Sequence, residues 1–241
     1  MSFKENEHLA TPPDESIIWR YMDLSKFLSL ITNKKIFFCN MNYLPDQNEG
    51  TIPIRNRMNF KIEQGTASED IVIDGNYNPR THSVDIKYMY SKILEKHKRT
   101  TLVSCWTKKD TESFLLWKAY APINGIAIKT KIINIKNAID ISDDYYITDI
   151  NYQKIDNCDN KFKILSYKYP FYKEENEVRI IIPNISNKKG KNYSVDVDNL
   201  IDEIYVSPLT DYWFFEVFKK IVSKFNKKLS NKIIKSEIKE S

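Results

Sequence analysis

The stretch from Lys168 to Ile182, KYPFYKEENEVRIII, limits what this chain can fold into more than any other. Side chains alternate across an extended strand, so Val178, Ile180 and Ile182 fall on one face while Arg179 and Ile181 fall on the other. Glu175 and Glu177, two residues apart, share the side of Arg179. A strand with an apolar row on one face and Glu, Glu and Arg on the other has its polar face either in solvent or at the floor of a polar cleft. Pro170, Phe171 and Tyr172 just before it point to a shaped turn that leads into that strand.

The chain is long enough, at 241 residues with 41% hydrophobic residues, for one domain with an ordinary core. Five glycines, and neither a G-x-G-x-x-G nor a G-x-x-x-x-G-K-[ST] pattern, argue against a Rossmann or P-loop fold. The net charge of +5 is concentrated at one end, because eight lysines against Glu237 and Glu240 from Lys219 onward leave the remainder close to neutral. The body is therefore not a basic nucleic-acid-binding surface. Cys39, Cys105 and Cys158 lack metal-ligand spacing and read as reduced thiols, and His8, His82 and His97 are isolated from one another, so no zinc site is expected. With no signal-peptide core at the amino terminus and no apolar run of membrane-spanning length, a cytoplasmic protein without a membrane partner is expected.

Along the chain, residues 1–15 form a polar leader, 16–230 a single domain, and 231–241 a basic tail. Strands are expected at Ile17 to Tyr21, Ile36 to Cys39, Leu102 to Trp106, Ile126 to Thr130, Tyr145 to Tyr152, Val178 to Ile182 and Ile204 to Val206. A helix capped by Asp23 or Ser25 should end at Asn33, and one capped by Thr111 should turn Leu115, Leu116, Trp117 and Tyr120 inward. A weak pattern from Thr51 to Asn78, with a short helix around Arg57 to Ile62, precedes a helix from Val84 to near Lys98. A closing amphipathic helix from Asp211 carries the stripe Trp213, Val217, Ile221, Phe225 and Leu229. Helices fall between strands without a regular βαβ alternation, which favours an α+β domain on an antiparallel or mixed sheet. The loop Asn42 to Gly50 carries Asp46 and Glu49, either solvated or drawn into a site. Arg20, inside the first strand, must find an anion or reach water.

Four segments together resemble a bacterial family, the domain-of-unknown-function family numbered twenty-nine seventy-one. They are IWRY at Ile18 to Tyr21, the loop with Asp46 and Glu49, the Ser104-Cys105-Trp106 strand with LLWKAYAPINGIAI after it, and Glu175-Asn-Glu-Val-Arg179. Trp106 stands where the family has Phe, and DQNE where it has D-P-x-E. The order of Arg, Ser and E-x-E is in turn similar to that of mono-ADP-ribosyltransferases, which implies a split antiparallel sandwich gripping NAD, the substrate, in a cleft.

In that resemblance Glu177 would stabilise the oxocarbenium-like ribose as nicotinamide leaves, and Glu175 would orient or deprotonate the acceptor. Arg20 with Tyr21 and Ser104 would hold the dinucleotide, Trp117 or Tyr120 would pack on a ring, and Arg179 would orient the glutamates. The implied activity is ADP-ribosyl transfer to a protein, nucleic acid or small molecule, in a toxin or antiviral setting. Two alternatives stand beside it. Asp46, Glu49, Glu175, Glu177 and Lys168 form the inventory of a metal-dependent nuclease. The aromatic-rich faces alternatively suit a non-catalytic protein-interaction module. Arg20 facing Glu177 across a cleft would favour transfer, Asp46 or Glu49 beside Glu175 or Glu177 would favour the nuclease, and polar residues that do not converge would favour the module.

Overall fold

A computed structural model describes residues 3–46, 49, 95–153, 161–185 and 189–238. The expected short helix around Arg57 to Ile62, most of the Val84 helix, His82 and Cys158 lie outside the described residues; residues 95–99, at the end of that helix, are helical.

The described chain is α+β, with ten strands hydrogen-bonded into one mostly antiparallel sheet. In chain order they are β1 (Ile17–Met22), β2 (Lys35–Asn40), β3 (Leu102–Lys108), β4 (Ile126–Lys131), β5 (Ile139–Asp140), β6 (Tyr146–Asp149), β7 (Glu177–Ile182), β8 (Gly190–Val195), β9 (Glu203–Val206) and β10 (Ile233–Lys235). The main path runs β10-β9-β4-β1-β3-β2-β8-β5, and β7 joins β3 while carrying β6 on its far side. The pairing of β10 with β9 is parallel and brings the lysine-rich end of the chain into the sheet as far as Lys235.

β3 is the branch point. One edge pairs with β7 from Leu102↔Ile182 to Thr107↔Glu177. The other is divided: β2 holds Leu102 and Val103, whereas β1 holds Thr107 and Lys108. Between them β1 and β2 part, and Arg20 spans the opening. Its guanidinium lies 5.5 Å from the centre of the Trp106 ring, and Nη2 donates to the Phe37 carbonyl oxygen of β2 at 3.4 Å.

Both faces of the sheet are covered. On one, Ile18, Trp106, Val178, Ile180 and Ile204 form the main core with α1 (Leu24–Asn33) and the last long helix (Tyr212–Phe225). Asp23 caps α1 by accepting the Lys26 amide hydrogen at 2.8 Å, and Lys34 in the left-handed region ends it. The last long helix buries Phe214, Phe218 and Val222, leaving Trp213, Val217 and Phe225 of the expected stripe exposed; Leu229, its last member, lies beyond this helix and is buried in the main core. Both rows repeat every four residues, so periodicity alone cannot choose between them; the position of the sheet does. On the opposite face lie two smaller apolar clusters. Trp19, Trp117, Ala121 and Ala127 form one, and Met41, Val103, Leu165 and Ile181 the other.

The strands expected from apolar runs all occur, with bounds shifted by a few residues. β8 and β10 have no such run: β8 reads GKNYSV and buries only Tyr193 and Val195. Its pairing with β2 depends on Gly190, because a Cβ there would come within 2.2 Å of the Phe37 ring and 2.4 Å of the Phe38 carbonyl oxygen.

Candidate functional site

Register places the site on the face that carries the two smaller clusters. Thr107 pairs with Glu177 and with Trp19, and Cys105 pairs with Arg179, so these side chains share one face. Progressing along β3 and β7, Val103 and Ile181 belong to one apolar cluster, Cys105 with Arg179 and Thr107 with Glu177 follow, and Trp19 belongs to the other. The charged residues are thus a polar patch between two dry ones.

Three carboxylates and two cations meet there. Lys168 Nζ lies 2.6 Å from Glu175, 3.2 Å from Glu177 and 3.2 Å from Glu49. Arg179 donates through Nε to Glu177 at 2.9 Å, through Nη2 to Glu49 at 2.6 Å, and through Nη1 to the Leu165 carbonyl oxygen at 2.8 Å. Arg179 Nη2 also lies 2.8 Å from Glu177. The Tyr120 hydroxyl donates to Glu175 Oε1 at 2.8 Å, and the Tyr172 ring lies 4.6 Å from the Lys168 ammonium. Tyr152 accepts the Glu177 amide hydrogen at 2.8 Å. Each oxygen of the three carboxylates has a cationic or hydroxyl donor, as burial of charge requires.

The local chain explains how the parts arrive. Pro170 opens the 3₁₀ segment Pro170–Glu175, and Asn176, left-handed at φ 42°, ends it; its side chain donates to the Lys108 carbonyl oxygen. Glu175 is therefore presented from a turn, with Glu177 the first residue of β7. The Asp46 carbonyl oxygen accepts the Glu49 amide hydrogen at 3.2 Å. The helix bearing Tyr120, α2 (Phe114–Tyr120), begins at Ser113 and not Thr111, and the Ser113 amide donates to the Tyr21 hydroxyl at 2.8 Å. Its inward face is Leu116 and Trp117; Leu115 and Tyr120 are half exposed, which corrects the expectation for that helix.

The charge states follow from these contacts. Burial alone would raise the Glu177 carboxyl, but Arg179, Lys168 and hydrogen bonds from Cys105 and Arg179 outweigh it and hold it below the ordinary glutamate value. Burial opposes the Lys168 ammonium, yet Glu177, Glu49 and Glu175 raise it above its ordinary value. Arg179 is raised in the same way, chiefly by Glu177 acting against burial. Tyr120 is raised by burial and then by Glu175, so it stays a hydroxyl donor. Lys98, itself buried, is lowered by desolvation against the pull of Glu49 and Asp46.

The structure brings Glu175, Glu177, Arg179 and Tyr120 together and adds Glu49. Tyr21 and Trp117 lie in the neighbouring apolar cluster, where their rings meet at 4.9 Å and Trp117 Nε1 donates to Glu112 at 2.8 Å. Arg20 and Ser104 are on the other face. Arg20 follows Trp19 on β1 and packs on Trp106, while Ser104 pairs with Ile180 and accepts from Trp106 Nε1 at 3.1 Å. The expected facing of Arg20 and Glu177 is thus corrected by strand alternation: adjacent residues of β1 point to opposite faces, and Trp19 has the Glu177 side. From sequence, Lys168 is suggested for a site only as the lysine of a metal centre, Tyr172 only as part of the turn before β7, and Tyr152 only as the end of a strand. Their signal is faint, since a lysine among aromatics reads as a surface residue until three carboxylates fold around it.

Comparison with family models, with curated proteins and with solved structures finds no match for this chain. Among the described residues no group of three or more His, Cys, Asp or Glu side chains has the arrangement to hold a metal ion, and no helix is long and apolar enough to cross a membrane.

Proposed function

We propose that this chain cleaves the nicotinamide–ribose bond of NAD and transfers ADP-ribose, with Glu175 in the place beside the ribose that the sequence suggested for Glu177. The observation that carries this assignment is exposure within the cluster: the Glu175 side chain is 17% exposed, against 4% for Glu177 and 6% for Glu49. Glu175 is the carboxylate a substrate can reach. Its two oxygens are oriented by Tyr120 and Lys168, so little reorganisation is needed when positive charge develops on the sugar.

Chemically, nicotinamide leaves with the bonding electron pair, and the anionic edge of Glu175 stabilises the oxocarbenium-like ribose. An acceptor hydroxyl or water then bonds to the same carbon and gives up its proton to solvent water. Glu177, Arg179 and Lys168 form the fixed electrostatic support of Glu175. Arg20 and Ser104 have no part in this scheme. The sheet is continuous through β3, with β1 and β2 parting along one edge of it, and an ADP-ribosyltransferase-like split sandwich belongs to the proposal. An acceptor among proteins, nucleic acids or small molecules, and a toxin or antiviral role, belong to the same proposal.

The test is nicotinamide release from NAD by the purified chain and by Glu175→Gln, with cell lysate as acceptor source and a chelator present. Release by the parent chain that the substitution abolishes is expected. Absence of release in every mixture refutes NAD cleavage. Metal-dependent nucleic-acid cleavage is the second possibility, and the arrangement named as its mark is present: Glu49 lies beside Glu177, sharing Arg179 Nη2 at 2.6 and 2.8 Å, while Arg20 does not face Glu177. Against it, Arg179 and Lys168 already occupy those carboxylates, and no group of three ligating side chains among the described residues has the arrangement to hold a metal ion. It requires cleavage of DNA or RNA that appears with added magnesium and vanishes with chelator.

A further inference from the structure

The segment that presents Glu175 also carries a row of rings that begins in the core at Tyr167, touches the ion cluster at Tyr172 and is open to water at Phe171. Phe171 is 79% exposed, uncommon for a phenylalanine. Its ring lies flat on Tyr169, with centroids 5.3 Å apart and planes 11° from parallel. Tyr169 in turn meets the buried Tyr167 at 5.8 Å, and Tyr172 meets Phe171 at 5.8 Å while its ring also contacts the Lys168 ammonium. The backbone beneath is held by Pro170 and by the Tyr172 amide donating to the Tyr169 carbonyl oxygen at 3.0 Å. The row is anchored in the core through Tyr167 and open to water at Phe171.

We propose that the open face of Phe171, backed by Tyr169, is a stacking platform for the base of a nucleotide whose sugar lies at Glu175. This rests on the proposed NAD chemistry at Glu175 and adds the base-recognition surface. A planar ring already immobilised by a stacked neighbour loses little freedom when a third ring is added, and every nucleobase presents a face that fits it. Phe171 and Glu175 are four residues apart in a 3₁₀ segment, about 8 Å at roughly 2 Å per residue. That is within the reach of a single nucleotide. Lys173, exposed and between them in the chain, supplies positive charge for a phosphate. An exposed lysine and a carboxylate on the same short turn as the stacked rings favour a nucleotide over an aromatic peptide side chain.

The experiment measures binding of AMP and of ribose 5-phosphate to the full chain and to Phe171→Ala and Phe171→Trp by calorimetry, with thermal melts to confirm folding. AMP stands in for the nicotinamide half of NAD, with the same base–ribose–5′-phosphate order but without the nicotinamide–ribose bond, so the result is independent of catalysis; stacking on a ring face does not require one particular base. Loss of one base stack predicts AMP binding weakened about 5- to 150-fold in Phe171→Ala. Phe171→Trp should retain it, and ribose 5-phosphate should bind both variants as it binds the parent. Absence of AMP binding to the parent chain, equal AMP affinity in Phe171→Ala, or an equal loss for ribose 5-phosphate overturns the platform. The expected pattern together with uncleaved NAD leaves the platform standing and removes the transferase chemistry. Cleavage with an unchanged KM in Phe171→Ala does the reverse.

Discussion

Replacing Lys168 by Met tests whether the ion cluster is a fixed electrostatic unit. The Lys168 side chain is 7% exposed and its ammonium contacts Glu175, Glu177 and Glu49 at 2.6, 3.2 and 3.2 Å. Methionine fills much the same volume without the charge, leaving Glu49 and Glu177 to Arg179 and Glu175 to the Tyr120 hydroxyl. Breaking a buried ion pair from one side costs about 3–5 kcal/mol, and for a chain of this size each kcal/mol lowers Tm by about 2–4 °C. A fall of about 6–20 °C at pH 7 is therefore expected. The pH dependence carries the sharper test. In the parent chain Glu177 is held below its unfolded value, so its contribution to stability is present above about pH 4.3 and is lost as pH falls through the lower folded value. Lys168, raised above its unfolded value, contributes throughout the neutral range and loses that contribution only as pH rises through its folded value. Without Lys168 the carboxylates hold protons more tightly, and protonation of one relieves the excess negative charge. The difference between variant and parent should thus shrink as pH is lowered from 7 toward 4, read by urea unfolding at each pH. A loss under about 1 kcal/mol at pH 7, where about 3–5 is expected for a buried pair, or one that does not shrink in acid, would refute the fixed unit.

Three further outcomes follow from other parts of the fold. Arg20→Lys removes the planar group that lies on Trp106 and reaches Phe37, so unfolding free energy should fall by about 1 kcal/mol while the KM for NAD stays unchanged; a raised KM with normal stability would return Arg20 to the site. Gly125→Ala puts a Cβ within 2.1 Å of the Ala121 carbonyl oxygen between α2 and β4, and a loss of about 2 kcal/mol or more is expected in chemical denaturation. Burial, and then Glu177, push the Cys105 thiol well above its ordinary value, so peptide mass spectrometry should find Cys105 unalkylated by iodoacetamide at pH 8 in the folded chain and labelled after unfolding.

Much of the fold is written in local pattern. Alternation in EVRIII places Glu177 and Arg179 opposite Val178 and Ile180, and the two sides of β7 meet the polar patch and the main core accordingly. Apolar runs also locate β1, β2, β3, β4, β6 and β9, because a strand half buried in a core needs them. β8 is less legible, since most of its residues are polar and its place comes from pairing with β2 across more than a hundred residues of chain.

Within the site, the sequence by itself determines that Glu175, Glu177 and Arg179 are close, because two residues of any backbone cannot separate them widely; the extended run expected from Glu175 starts only at Glu177, after the 3₁₀ segment and Asn176. It does not determine which faces of distant strands coincide. Taken in order along the chain, Arg20 and Ser104 suit the same cleft, yet registers Trp19↔Thr107 and Ser104↔Ile180 turn both to the main core. Only the tertiary structure brings Glu49 and Lys168 to Glu177, and only burial decides that Glu175 is the reachable carboxylate. The physical reason is that face and proximity along one strand follow from backbone geometry, whereas charge pairing and accessibility depend on long-range register, where a shift of one residue inverts every side chain.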